Sequence, residues 1–414
     1  MTNHGVSAGV GVRVALAAVM TVMSVGLLEV AVRVVGHTDP DGNFHMGQRQ
    51  GFPLHLPIGQ LEAAVRQYRQ SAQALFTEDA TLGWKPKAGA QNDLYAYDRD
   101  ALRSRTPEEA SADPDRRALR VAIFGDSFAH GSEVSFDDSW GARVEHALNR
   151  PGRPVDVLNF GVPGYGMDQA LLRWEHEGRA FAPAVVVFGL QVENAGRNLN
   201  LLRVLYDSAD LPFAKPRFVE DDGRLELINV PVPPPEEVVR IVGRLDEWPL
   251  VHHEHYYRPD RYRDRPWRYS RLAGLIESSL AGSTRGQIEG ELPGDQRRLA
   301  LRIIDRFAES VEAAGARFVV VHLPRRVDLE AARSDGRLPN SSFLDAVQEQ
   351  APVVRVDTAL LERGGQGDLG PLFSPGGHYS SDGYAVLAAA VAERLESELA
   401  PAASRTGRTR SGTH

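Results

Sequence analysis

The stretch Leu119-Arg-Val-Ala-Ile-Phe-Gly-Asp-Ser-Phe128 decides the fold. Leu119 to Phe124 is a short apolar, β-branched run that ends at Gly125, and a hydroxyl follows just before a helix-like segment. Moving outward, the same punctuation recurs. A helical pattern covers Trp140–Leu148, a second apolar run covers Val155–Phe160 and ends at Gly161, and Met167–Gly178 reads as a helix. Ala184–Leu190 is a third run, Arg297–Ala314 a long amphipathic helix, Arg317–Leu323 a fourth run, Val353–Val356 a short fifth and Gly383–Leu399 a final helix. Strands without polar alternation, separated by helices, predict a parallel sheet covered on both faces. The expected fold class is therefore α/β, doubly wound: a three-layer α/β/α, flavodoxin-like sheet of about five strands.

Two regions stand outside that alternation. Residues 198–296 carry a hairpin pattern, Arg217–Val219 and Leu225–Val230, turning through Asp221-Asp222-Gly223. A proline cluster and an Arg- and Tyr-rich stretch, His255 to Arg271, come after it. So long a connection predicts an inserted subdomain or a lid near the site. At the N-terminus, Val14 to Leu28 is an unbroken run of apolar and small residues, extended to Val35 across Glu29 and Arg33. The resulting 22 residues suffice to cross a bilayer. With Arg13 in front, the expectation is a signal-anchor over 1–36, attaching the chain to the membrane with its catalytic domain outside the cytoplasm; a cleaved signal peptide and a buried core helix are the competing readings. Residues 37–117 form a polar N-terminal extension with a helical stretch near Leu61–Phe76, and 103–117 read as a loop. The core domain spans 118–400, and the Ser/Thr/Arg/Gly-rich tail 401–414 is expected to be disordered.

Composition excludes several chemistries. The 414 residues carry a net charge of −8, which disfavours nucleic-acid binding, since that needs a basic face. With no cysteine, disulfides, thiolate metal sites and a thiol nucleophile are ruled out. His252, His253 and His255 beside Glu254 look metal-like, but they sit among Arg and Tyr without ligand spacing and read as a solvated surface. Neither a metal nor a cofactor is implied.

In an open α/β sheet, ligands bind beyond the C-terminal strand ends. After the first strand comes Gly125-Asp126-Ser127, where free backbone N–H groups favour a developing oxyanion, although Ser and Asp are also ordinary helix caps. Asn159-Phe-Gly161-Val-Pro163-Gly164-Tyr-Gly166 follows the second strand, with glycines that permit close approach to a ligand. After the third comes Gln191-Val-Glu193-Asn194, whose side-chain amide is a potential oxyanion donor. Gly376-Gly377-His378 stands before the last helix, with Asp382 read as that helix's N-cap. His130, one turn from Ser127, is expected at the solvent surface.

Together these blocks resemble the SGNH/GDSL hydrolase superfamily, closely over 119–197 and more loosely over 297–399. The anchor and Thr81-Leu-Gly-Trp-Lys-Pro86 are similar to its membrane-anchored members. The resemblance implies Ser127 as nucleophile and His378 as general base. It implies an oxyanion hole made by the N–H groups of Ser127 and Gly164 and the side chain of Asn194. Two positions depart from the pattern. Glu193 stands beside the oxyanion donor, where a carboxylate pointing inward would oppose negative charge. The family's acid, two or three residues before the histidine, is replaced by Pro375 and Gly376. Asp357 at the end of the fifth strand, or Asp368, is the candidate substitute; a Ser–His dyad is the other. The expected function is a serine esterase acting on O-acyl groups of an extracytoplasmic small-molecule, lipid or glycan ester. The alternatives are an acyltransferase for a cell-surface polysaccharide and a catalytically degenerate glycan-binding domain.

Overall fold

The computed structural model describes residues 5–47, 49–71, 74–111, 118–206, 212–281, 291–365 and 367–399. The tail 401–414 lies outside the described residues. The chain opens with α1 (Gly5–Val35), an apolar helix whose described side chains stand almost entirely clear of the rest of the protein. Over Gly11–Val35 it is long and apolar enough to cross a membrane.

Five strands build the central sheet: β1 (Leu119–Gly125), β2 (Val155–Asn159), β3 (Val185–Leu190), β4 (Arg317–His322) and β5 (Val353–Arg355). Their spatial order is β5-β4-β3-β1-β2, and every pairing is parallel. This is the flavodoxin-like order 2-1-3-4-5, with the switch point between β1 and β3. Strand periodicity sorts the side chains into two buried layers. Ala122, Phe124, Phe188 and Val320 face one side with α4 (Met167–His176) and α6 (Gly294–Ala313). Val121, Ile123, Val187 and Val321 face the other with α3 (Trp140–Leu148) and α10 (Ser381–Leu399). The short helix α2 (Ser127–His130) leaves β1, and α5 (Arg271–Leu280) lies in the inserted stretch. Helices α7 (Arg326–Asp335), α8 (Ser341–Gln350) and α9 (Asp357–Gly364) complete the covering.

The five strands and the α/β/α layering agree with the sequence reading. The extension differs: it holds three small antiparallel sheets rather than only a helix and loop, with strands such as Phe76–Asp79 and Gly83–Pro86. The insertion is also more firmly built in than a lid. Phe213, Phe218 and Tyr256 belong to the same buried cluster as the sheet. Lys215 Nζ meets Asp168 Oδ2 of α4 at 2.5 Å with both side chains buried.

Candidate active site

Asp126 caps α2, its Oδ1 accepting the N–H of Phe128 at 2.9 Å, so Ser127 is the first helical residue, not the cap. That position leaves the Ser127 N–H without an intrahelical acceptor and turns its side chain outward at the C-terminal edge of the sheet. Gly131, in the left-handed conformation, closes the helix after one turn, and the chain doubles back through Ser132 to Glu133. Glu133 itself has φ +69°, a left-handed geometry that costs a side-chain-bearing residue about 1–2 kcal/mol. Its N–H donates to the Tyr95 hydroxyl at 2.9 Å.

On the facing loop, a tight turn holds His378: Ser374 donates to the His378 carbonyl at 2.7 Å and Gly377 to the Ser374 carbonyl at 2.9 Å. The imidazole packs on the Phe128 ring with centroids 4.8 Å apart. Its Nε2 lies 2.8 Å from Ser127 Oγ, and its Nδ1 lies 2.6 Å from Glu133 Oε2. The same carboxylate accepts the backbone N–H of His378 at 3.0 Å and of Gly376 at 2.8 Å. Burial pushes the Glu133 carboxyl up, but the hydrogen bonds from the His378 ring and from the two N–H groups outweigh it and leave it below its ordinary value. An ionised carboxylate only accepts, so Nδ1 carries the proton and Nε2 is free to take one from the serine hydroxyl.

The carboxylate on His378 is thus Glu133, and neither sequence candidate reaches the ring. Asp357 opens α9 and binds Arg355, with Nε at 2.9 Å, and it faces His322 at 4.0 Å. Asp368 accepts from Arg326 at 3.1 Å and from the N–H of Gly370 at 2.8 Å. Glu133 carries a weak sequence signal: it comes two residues after Gly131, the glycine that ends the short helix, and six after Ser127. Gly376 occupies the position where an acid was expected, and it has a use there. A Cβ at that position would come 2.4 Å from Glu133 Oε1, so the missing side chain is what admits the distant carboxylate.

Gly164 sits at φ +84° in the turn after β2 and, with Ser127 and His378, lines one cavity of about 1110 Å³. Asn194 is buried, donates Nδ2 to Asp126 Oδ2 at 2.9 Å, and is not among the residues that line the cavity. Glu193 binds Arg325 Nη1 at 2.7 Å, which neutralises the carboxylate beside the donor. His130 is fully buried rather than exposed, its Nε2 3.0 Å from the Tyr97 hydroxyl and its Nδ1 3.1 Å from Arg103. That burial, with Arg103 nearby, pushes its pKa well down and keeps it neutral. Ser380, not Asp382, caps α10, its Oγ accepting the N–H of Gly383 at 3.2 Å.

The cavity walls mix apolar and cationic groups. Leu75, Phe76, Tyr95 and Tyr97 come from the extension, and Arg197, Arg325 and Arg326 stand opposite. Among the described residues of the inserted stretch only Arg203 lines the cavity, and the N-terminal extension supplies the wall that a lid would have supplied.

No family model and no curated protein matches the chain in sequence. Among solved structures, TesA aligns at 14% identity over 68% of this chain and 100% of its own, with a TM-score of 0.37. An acetyl-xylooligosaccharide esterase from Geobacillus aligns at 12% identity over 69% of this chain and 95% of its own, with a TM-score of 0.38. A lipase/acylhydrolase from Enterococcus faecalis aligns at 13% over 68% and 98%, with a TM-score of 0.33.

Proposed function

We propose that the chain is a membrane-anchored serine esterase of the SGNH/GDSL type, with Ser127 as nucleophile, His378 as general base and Glu133 as the orienting acid. The observation that carries this reading is the unbroken Ser127–His378–Glu133 hydrogen-bond chain opening onto the cavity. Ser127 Oγ attacks the ester carbonyl while its proton passes to His378 Nε2. Glu133 stabilises the imidazolium, and the proton returns to the departing alkoxide. Water then repeats the sequence on the acyl-enzyme. The tetrahedral oxyanion is held by the N–H groups of Ser127 and Gly164. Asn194 Nδ2 is engaged with Asp126 and does not line the cavity, so in this reading the two backbone N–H groups carry the oxyanion hole and Asn194 holds Asp126, the cap of α2, in place. Glu133 removes the reason for a degenerate, binding-only reading, which rested on the missing acid. The helix α1 supports membrane attachment, and we read the domain as extracytoplasmic, with a lipid or glycan O-acyl ester as substrate.

The test is covalent. Detergent-solubilised full-length chain is treated with a fluorophosphonate and the adduct located by peptide mass spectrometry, with aryl acetate hydrolysis measured in parallel. A single adduct on Ser127 and loss of turnover in Ser127→Ala are expected. An unlabelled Ser127, with hydrolysis unchanged in the alanine variant, would reject the assignment.

A further inference from the structure

The last two turns of α1 are docked onto the start of α5, far along the chain in the inserted stretch. Glu29 accepts three hydrogen bonds there: Ser270 Oγ at 2.7 Å, the Arg271 N–H at 2.9 Å and the Leu272 N–H at 2.9 Å. Arg33 donates to the Tyr269 carbonyl at 2.7 Å. Below them Val32, Phe44 and Leu275 form a small buried cluster with Leu272 against it. The junction is thus tied at both charged residues that interrupt the apolar run of α1.

Beside this junction the surface is apolar. Ile276 and Leu280 are 51% and 83% exposed, and Trp267 and Tyr269, in the turn before α5, are 51% and 77% exposed. Leu272, Ile276 and Leu280 are spaced i, i+4, i+8 and share one helix face, whose first member already packs against the α1 cluster. The level of this face follows from α1. Its 25-residue apolar span is about 37 Å long at ~1.5 Å per residue, against a hydrocarbon core of ~30 Å. Roughly five residues therefore fall outside the core; counted back from Val35 these are 31–35, which puts Arg33 at headgroup depth and Glu29 within one helical turn of the headgroup–acyl boundary. Whatever is docked at Glu29 shares that depth. Of the five arginines in Asp260–Arg271, Arg268 is buried on Glu277, while Arg263 is exposed and Arg261, Arg265 and Arg271 are half-buried, a positive excess over Asp260 and Asp264 that suits a layer of lipid phosphates. Exposed Trp and Tyr suit the same boundary.

We propose that Trp267, Tyr269, Ile276 and Leu280 form a seat that rests on the lipid headgroup–acyl boundary beside the anchor, fixing the domain's orientation on the bilayer. The seat rests on reading α1 as a membrane anchor. The natural absence of cysteine allows single-site labelling of the full-length chain. Nitroxides are placed through Ile276→Cys, Leu280→Cys, Val19→Cys within α1, and Leu94→Cys on the exposed extension. Each variant is reconstituted in phosphatidylcholine–phosphatidylglycerol vesicles, and collision with oxygen and with a nickel chelate is measured. Labels at 276 and 280 are expected to collide with the chelate several-fold less than the label at 94, while oxygen collision stays high, approaching the label at 19. Chelate collision at 276 and 280 equal to that at 94, with 19 still in lipid, overturns the seat and leaves the anchor. A water-exposed label at 19 overturns the anchor and the seat with it. Low collision with both reagents at 276 and 280, as beneath a second copy of the chain, also overturns the seat.

Discussion

Glu133 meets His378 across 245 positions of sequence, and nothing in a pattern of charges marks such a pair. Ser127 was legible because it stands at the end of a strand, and His378 because it follows a pair of glycines just ahead of the last helix. An acid is harder to read, since glutamates are ordinary surface residues and only the folded chain selects one. If Glu133 orients His378, Glu133→Gln should lower kcat for aryl acetate by about 10³–10⁴, as loss of a triad acid does elsewhere. Asp357→Asn should leave kcat within about twofold; an inverted result would return the acid's role to α9. Acid stability provides a second readout. The Glu133 carboxyl is depressed in the folded chain, so its contribution is present above the ordinary value near ~4.3 and is lost as pH falls through the folded value. The stability gap between wild type and Glu133→Gln, followed by urea unfolding, should therefore be widest at neutral pH and close on acidification below that range. A gap that stays constant to low pH would mean that the carboxylate's ion pairing contributes nothing.

At the scale of elements, the strands were readable because burial on both faces makes them continuous apolar runs, and their ends matched to within a residue or two. The helices α7 and α9 were not foreseen, because α7 buries only Leu329 and α9 only Leu360, too little for a period to emerge. Strands of two residues in the extension, such as Ala96–Tyr97, are likewise too short to show alternation. The loop before α10 depends on space rather than on a side chain. Gly376 lies against the flexible end of Glu133, with Oε1, Cδ and Oε2 all within 2.8 Å of where a Cβ would stand. Gly376→Ala should displace the carboxylate while leaving the loop itself in place. The expected outcome is a melting temperature within a few degrees of wild type, with a kcat loss approaching that of Glu133→Gln. If kcat is retained, the loop yields instead of the acid, and the space argument fails.

For the molecule as a whole, the extension and the core act as one body around the cavity. Trp84 is fully buried, stacked on Phe213 of the insertion with centroids 5.8 Å apart and set edge-on to Tyr165. Its indole N–H donates to the Pro163 carbonyl at 3.2 Å, immediately before Gly164. Gln169 returns the contact, donating to the Leu82 carbonyl at 2.7 Å. The Thr81–Pro86 stretch thus braces the turn that presents a proposed oxyanion donor, a link that sequence separation concealed. Trp84→Phe keeps most of the buried volume but removes the donor. It should cost about 1–3 kcal/mol of stability, from an unsatisfied carbonyl and a partly unfilled site. The catalytic consequence separates bracing from packing. A loosened Gly164 N–H weakens oxyanion binding, which acts only in the transition state, so kcat should fall severalfold while KM stays nearly constant. The check is steady-state aryl acetate kinetics well below the melting temperature of the variant. A rise in KM with kcat unchanged would assign Trp84 to the substrate cavity instead, and unchanged kinetics would leave the turn set by its own glycine alone.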